Sequence, residues 1–214
     1  MWNRIQYGLL AEVFEEGAMD NVGPNEMKRI MIIGCSGSGK STLAVRLGKK
    51  LSLPVHHLDR LFWRPGWKEP PRDEWRALQE ELCAQPVWIL DGTYTSTMDV
   101  RFESADTVVF LDLPTFSCLL GVIRRFLRFC GRSRPDMTED CQERLDWTLL
   151  RRILTYRRDR RPRVLARLRE LDKSKRVVIL PSRYAVRRYL ENEAAKPANS
   201  ALGSAADHPA NGSV

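Results

Sequence analysis

At residues 34–41 the chain reads GCSGSGKS, from Gly34 to Ser41, and this stretch decides the fold class. It fits the pattern G-x-x-x-x-G-K-[ST] at every fixed position, with an apolar run before it and an amphipathic stretch after it. Glycines at such positions let backbone N–H groups converge on an anion without clashes from Cβ atoms. We therefore expect the segment to bind the phosphates of ATP or a close relative, together with Mg²⁺.

The residue types in this phosphate-binding loop suggest individual roles. Lys40 should reach the β- and γ-phosphates, and the Ser41 hydroxyl should bind Mg²⁺. A chance match in a chain of this length has a probability of roughly 1% at average residue usage. Cys35 is interpreted as a small residue at a variable position, not as a nucleophile. The predicted nucleotide-binding residues of the loop are Gly34, Ser36, Gly37, Ser38, Gly39, Lys40, Ser41 and Thr42.

Short apolar runs alternate with amphipathic stretches on both sides of the loop. The runs predicted as strands are 29–33, 55–58, 87–90, 107–111 and 176–180. The predicted helices are 41–51, a segment after Pro70-Pro71, 115–129, 140–171 and 182–193. Five strands alternating with helices predict an α/β fold, with a five-stranded parallel sheet covered by helices on both faces. Ligands of such sheets bind at the carboxyl ends of the strands.

Composition divides the 214 residues into three parts. Residues 1–27 are expected to be an N-terminal extension that is not essential, 28–193 a single phosphate-binding domain, and 194–214 a disordered tail rich in small and polar residues. The acidic N-terminus disfavours export, and no apolar run approaches the length of a membrane span. Five cysteines without a C-x-x-C pair favour reduced thiols. The sequence therefore predicts a cytoplasmic protein without a membrane partner.

The formal net charge of +8 is concentrated in one stretch. Fifteen arginines, no lysine and six acids lie between Arg124 and Arg169, so this stretch carries +9 and the rest of the chain about −1. Guanidinium groups bind phosphate oxygens in pairs and stack on flat rings, which ammonium groups do not. A nucleotide polyphosphate or a nucleic-acid backbone would fit such a surface.

Two acids stand where predicted strands end. Asp91 follows WIL and would lie beside the phosphate-binding loop, where it could hold the water shell of Mg²⁺; the alternative is an acid that caps a turn. Asp59 follows the second strand and could orient a substrate hydroxyl or take its proton, but an N-cap or a surface acid is nearly as good an interpretation. The neighbouring His56 and His57 are interpreted as strand residues because no third metal ligand stands at a suitable spacing.

Aromatic residues surround the same expected cleft. Trp63, Trp67 and Tyr94 could form a wall for the second substrate, and ordinary core packing is an equal alternative for the two tryptophans.

The chain from Arg29 to about Glu191 resembles the adenylate-kinase-like P-loop kinases. More closely, it resembles the bacterial family of DNA topology modulation proteins (FlaR-type). The loop motif is shared by many families, whereas HLDRLFWRPGW and DGTY are far more specific. The segments that carry the resemblance are RIMIIGCSGSGKSTLA, LPVHHLDRLFWRPGW, WILDGTY, ADTVVFLDLP, GRSRPDM, RRDRRPRVLARL and VVILPSRYAVRRYL.

This resemblance implies a phosphate-binding loop, an acceptor-binding region and an arginine-bearing lid at about residues 122–165. Asp91-Gly92 matches the start of the D-G-F-P-R segment that binds the acceptor in nucleoside monophosphate kinases, but Thr93-Tyr94-Thr95 replaces the rest. A nucleoside monophosphate acceptor is therefore in doubt, and Arg101 is expected to supply the missing positive charge. The lid arginines expected at the nucleotide are Arg128 and Arg132, and those expected in catalysis are Arg134 and Arg157.

The function expected first is that of an ATP- and Mg²⁺-dependent phosphotransferase, a small-molecule kinase with an unidentified acceptor. Its catalytic residues would be Lys40, Asp59 and the two lid arginines just named, its metal residues Ser41 and Asp91, and its acceptor residues Asp59, Trp63, Tyr94 and Arg101. The alternative is an ATP-binding regulator associated with nucleic acid, as the family name implies. A nucleotide-binding module without turnover is the third possibility.

Overall fold

The computed structural model describes residues 27–131, 137, 141, 145–171 and 173–195. Residues 1–26 of the predicted extension and most of the predicted tail lie outside this range. The two predicted lid arginines Arg132 and Arg134 also lie outside it.

The sheet has five parallel strands in the spatial order β2-β3-β1-β4-β5, which confirms the predicted fold class. The central strand β1 is enclosed because a neighbour pairs with each of its edges, and Ile30 to Ile33 are all 0% exposed. Buried parallel strands read as continuous apolar runs, which is why the sequence located them. The strands are β1 (Arg29–Gly34), β2 (Val55–His57), β3 (Trp88–Asp91), β4 (Thr107–Leu111) and β5 (Arg176–Leu180).

Helices connect the strands. Two short helices, Leu58–Phe62 and Met98–Ser104, are not predicted from the sequence. Five to seven residues are too few to show a helical period. In the described ranges the helices are α1 (Lys40–Leu51), α2 (Leu58–Phe62), α3 (Arg72–Cys83), α4 (Met98–Ser104), α5 (Thr115–Phe129), α6 (Trp147–Asp159), α7 (Arg161–Glu170) and α8 (Arg183–Ala195), with a 3₁₀ turn at Thr95–Thr97. None of them is long and apolar enough to cross a membrane.

The predicted single helix 140–171 is wrong, since the described part of it forms two helices. Helix α6 begins after Asp146, whose side chain accepts a hydrogen bond from the Leu149 N–H at 2.7 Å. It ends at Asp159, and α7 starts at once with Pro162 in its first turn. Proline lacks an N–H and its ring clashes with the preceding turn, so it opens a new helix more readily than it continues one.

The sheet register determines which strand ends meet. Asp91 stands opposite Ile32 of β1 and opposite His57 of β2. On the other side of β1, Gly34 stands opposite Leu111, the residue before Asp112. The start of the phosphate-binding loop is therefore flanked by an acid from each neighbouring strand.

Candidate functional site

The phosphate-binding loop joins β1 to α1, as predicted, and two of its glycines cannot be replaced without strain. Gly37 has φ +77°, and a Cβ atom there would lie 2.1 Å from the Cys118 carbonyl oxygen of α5. Gly39 has φ +97° and directly precedes the first residue of α1. Both conformations favour glycine. The loop thus exposes backbone at the positive end of a helix, which is the arrangement that binds anions.

Polar side chains of the loop also fit a phosphate ligand. Lys40 is half-buried and its Nζ donates to the Cys35 carbonyl at 3.1 Å, so it lies folded back across the loop. The Ser38 hydroxyl is enclosed and has no hydrogen-bond partner among the described residues. A buried polar atom without a partner costs free energy, which an anionic ligand can offset. Ser36 and Ser41 are half-buried and Thr42 is exposed.

Helix α5 packs directly on the loop. The arginine that joins this helix to the loop is not predicted from the sequence. A Cβ atom on Gly121 would lie 2.1 Å from the Gly37 carbonyl oxygen. Arg183, at the start of α8, donates from Nη2 to the carbonyls of Gly37 at 3.1 Å and Ser117 at 3.2 Å. Its position after the last strand, among the carboxyl ends of the sheet, is the signal that could have identified it.

The segment after β3 contacts both the phosphate-binding loop and Asp59, the acid predicted to contact the acceptor. The Gly34 N–H donates to Thr93 Oγ1 at 3.2 Å, and Thr93 Oγ1 donates to the Gly34 carbonyl at 2.7 Å. One residue later, the Tyr94 hydroxyl donates to Asp59 Oδ1 at 2.8 Å. Burial and the neighbouring Asp59 raise the pKa of Tyr94, so its hydroxyl stays a proton donor. Gly92–Tyr94 therefore sets the position of Asp59 relative to the phosphate-binding loop.

Arg101 holds this segment from inside the protein. Its side chain is 0% exposed and donates to three carbonyls in a row, from Nη1 to Gly92 at 2.6 Å and from Nη2 to Thr93 at 3.0 Å and Tyr94 at 3.1 Å. Burial lowers its pKa to about 10. The sequence predicts Arg101 as a charge for the acceptor, but the structure places it beneath the acceptor segment, where it orders the backbone.

Asp91, the acid predicted to bind the metal, has a neighbour that the sequence does not predict. His57 Nδ1 lies 3.0 Å from Asp91 Oδ2, and the Asp91 side chain is only 4% exposed. His57, interpreted from the sequence as a plain strand residue, is thus the direct partner of the acid. Carboxylate and hydroxyl oxygens are suitable Mg²⁺ ligands, and Ser41 and Asp91 supply one of each. Within the described ranges no group of three or more His, Cys, Asp or Glu residues is placed to hold a metal ion.

Aromatic rings form a connected cluster around Tyr94. Trp75 is buried, and its ring centroid lies 5.0 Å from that of Tyr94 and 4.9 Å from that of Phe62. Trp63 and Trp67 are half-buried and contact each other edge to face at 5.2 Å. Phe62, which the sequence analysis did not single out, joins the buried part of the cluster to Trp63.

The arginines of the predicted lid have separate surroundings. Arg161 is buried and contacts both carboxylate oxygens of Asp112, with its Nε at 2.8 and 3.0 Å and its Nη2 at 2.7 Å. Arg157 is partly exposed, with Nη1 3.9 Å from Asp112 Oδ1. Arg128 is exposed and its guanidinium carbon lies 5.5 Å from the Phe129 ring centroid. Of the predicted lid arginines within the described ranges, Arg157 lies beside a strand end next to the loop.

Comparisons with known proteins find partial similarities. No family profile matches the chain. The uncharacterized protein YqaC of Bacillus subtilis (strain 168) is 35% identical over 91 residues, which is 41% of this chain. The chain spans about half the length of this curated relative.

Several solved structures of kinases are similar in part. A shikimate kinase from Acinetobacter baumannii in complex with shikimate has a TM-score of 0.47 and 19% identity, over 79% of this chain and 92% of that one. An unliganded sugar kinase from Janibacter sp. HTCC2649 has a TM-score of 0.43 and 20% identity, over 78% and 90%. A gluconokinase from Sinorhizobium meliloti 1021 has a TM-score of 0.40 and 19% identity, over 77% of this chain and 94% of that one. Similarity at this level carries no functional argument, and the fold assignment rests on the sheet order and register described above.

Proposed function

We propose that the protein is an ATP- and Mg²⁺-dependent phosphotransferase that acts on a hydroxyl group of a small molecule. The observation that carries this proposal is the Gly92–Tyr94 segment. Thr93 bonds to the first glycine of the phosphate-binding loop, and Tyr94 bonds to Asp59. One segment thus fixes the position of the phosphoryl-donor site relative to an acid that can accept a proton. In-line transfer requires such a fixed arrangement.

The reaction follows from these positions. The acceptor hydroxyl oxygen forms a bond to the γ-phosphorus of ATP while the bond from that phosphorus to the β,γ-bridging oxygen breaks. The electron pair of the broken bond stays on ADP, and the hydroxyl proton passes to Asp59. Lys40 leaves the Cys35 carbonyl to contact the transferring phosphoryl group, and the lid arginines Arg134 and Arg157 stabilise its charge.

The metal and the nucleotide bind to named residues. Ser41 and Asp91 would hold Mg²⁺, which neutralises charge on the β- and γ-phosphates when bound. Backbone N–H groups of the loop between Gly34 and Ser41 and the Ser38 hydroxyl bind the phosphates, and Arg128 and Arg132 contact the nucleotide from the lid. The Ser38 hydroxyl, which has no partner among the described residues, and the left-handed conformations of Gly37 and Gly39 support this assignment.

The first test is the substitution Lys40→Ala. Because Lys40 donates to a single backbone carbonyl in the described part of the chain, its removal should leave the thermal midpoint nearly unchanged. ADP release should fall by a factor on the order of 10² or more, as for the loss of one donor to a developing charge. Exposed Lys49, in the last turn of the same helix, is the matched control. Normal ADP release from Lys40→Ala would refute the proposed role of the loop.

A nucleic-acid-associated regulator, as the name of the resembled family implies, is a second proposal. It is supported by the exposed arginines of α6 and α7, which are Arg151, Arg152, Arg158, Arg163, Arg167 and Arg169. Duplex DNA binding over a salt series separates the two proposals. A steep salt dependence that flattens in Arg151→Ala, with Lys40-dependent ADP release absent, would favour the regulator.

A further inference from the structure

We infer that the acceptor is an uncharged hydroxyl compound with a flat or apolar face, of the class of sugars, polyols and nucleosides. This inference rests on the proposed function and names its substrate class. It comes from one juxtaposition: the arginine beneath the Gly92–Tyr94 segment is enclosed, while a carboxylate and a chain of aromatic rings that reaches Trp63 lie against that segment.

Arg101 cannot serve an anionic acceptor in this arrangement. The carbonyls of Gly92, Thr93 and Tyr94 occupy both of its terminal nitrogens, and no part of the side chain is exposed. Rotation toward the cleft would leave three carbonyls without this donor and would release the segment that holds Asp59 and the phosphate-binding loop. A phosphate or carboxylate on the acceptor therefore gains no bond from Arg101.

Two other arginines near the acceptor side are engaged elsewhere. Arg64 forms an ion pair with Glu74. Arg76 pairs with Asp99 at 3.1 Å and with Glu80 at 3.0 Å, on the outer faces of α3 and α4. These contacts tie both guanidinium groups to surface acids rather than to the cleft.

The side chains around Tyr94 have negative and aromatic character. Asp59 uses Oδ1 to accept from Tyr94, so Oδ2 remains for the acceptor hydroxyl. An acceptor that carried its own negative charge would be repelled by this carboxylate. The half-buried rings of Trp63 and Trp67 offer apolar surface on which the flat or C–H face of a neutral ring can pack.

The experiment compares neutral acceptors with anionic compounds of related structure. ADP release with Mg²⁺ and ATP is measured without acceptor and with the matched pairs adenosine and AMP, thymidine and TMP, glucitol and gluconate, and methyl shikimate and shikimate. Products are identified by mass. We expect at least one neutral member to raise ADP release tenfold or more over the basal rate, with its anionic partner at least tenfold lower in kcat/KM.

Substitutions at two adjacent residues complete the test with the neutral acceptor that responds. Trp63→Ala should raise the acceptor KM at least fivefold, because the ring surface is lost. Its neighbour Arg64, which is paired with Glu74 on the surface, is the control, and Arg64→Ala should change neither KM nor the basal rate.

The possible outcomes are distinct. Preference for an anionic member, or no response to any neutral member while Lys40-dependent basal ADP release persists, overturns the acceptor class alone. Absence of that basal release overturns the proposed function and this inference together.

Discussion

Thr93 shows how much one side chain determines at the residue scale. Its hydroxyl accepts from the Gly34 N–H and donates to the Gly34 carbonyl, so both backbone groups of the first loop glycine depend on it. Each such hydrogen bond contributes about 0.5–1.5 kcal/mol net. The pair should therefore hold the loop in its binding conformation by about 1–3 kcal/mol.

Replacing Thr93 tests this link. Thr93→Val keeps the shape but removes both bonds, and it should weaken ATP-analogue binding by about tenfold, since 1.4 kcal/mol is a factor of ten. Thr93→Ser keeps the hydroxyl and should restore affinity. Exposed Thr95 is the matched control. Equal affinity of the valine variant and the wild type in a calorimetric titration would show that the loop holds its conformation without Thr93.

The two strand-end acids give a second prediction. Asp91→Asn should weaken Mg²⁺-dependent nucleotide binding, because it removes a charge placed beside the loop. Asp59→Asn should spare nucleotide affinity and slow phosphorylation of the acceptor, because it removes the proton acceptor. Nucleotide titrations with and without Mg²⁺, together with turnover, distinguish the two. A similar loss of nucleotide affinity in both variants contradicts this division of roles.

At the scale of elements, a buried ion pair joins β4 to α7. Asp112 follows β4 and is 2% exposed, and Arg161 of α7 contacts both of its carboxylate oxygens. Breaking such a pair from one side leaves a buried charge and costs about 3–5 kcal/mol. Replacing both members with apolar residues of similar size often costs far less.

We therefore expect Arg161→Met to lower the free energy of unfolding by about 3–5 kcal/mol in urea titrations. The double variant Asp112→Leu with Arg161→Met should recover most of that loss. Exposed Arg163, two residues along the same helix, is the control, and Arg163→Ala should stay within about 0.5 kcal/mol of the wild type. A double variant as unstable as the single one would show that the contact acts through packing rather than charge.

Elements differ in how far the sequence predicts them. All five strands and the loop between β1 and α1 are predicted because buried apolar runs and the glycine pattern are local signals. The break at Pro162 is also a local signal, and the prediction of one helix across it overlooked that signal. The partners of Arg101 and Arg161 are different, since a sequence shows that an arginine is present but not which carbonyl or carboxylate it contacts.

At the scale of the whole molecule, buried ionisable groups determine how stability responds to high pH. Burial raises the pKa of Tyr94, Tyr156 and Tyr189 above the ordinary value near 10. Above pH 10 the unfolded chain releases these protons and the folded protein keeps them, so the free energy of unfolding falls as pH rises. Arg101 acts in the opposite sense, because burial lowers its pKa to about 10 and the folded protein then binds fewer protons than the unfolded chain.

The three tyrosines should outweigh the one arginine. Each fully displaced group changes the free energy of unfolding by at most about 1.4 kcal/mol per pH unit. These four groups, three of which lower the free energy of unfolding and one of which raises it, together contribute a fall of up to about 3 kcal/mol per unit above pH 10. Urea midpoints at pH 9, 10, 11 and 11.5, with tyrosinate absorbance followed in parallel, measure this fall. Tyr156 has a buried hydroxyl without a partner among the described residues, so Tyr156→Phe should fold well. It should reduce the slope of the free energy of unfolding against pH by the contribution of about one titrating group. Tyr184→Phe, at an exposed position, should leave the slope unchanged. Midpoints that stay level or rise above pH 10 would mean that the arginine, rather than the tyrosines, governs stability in alkali.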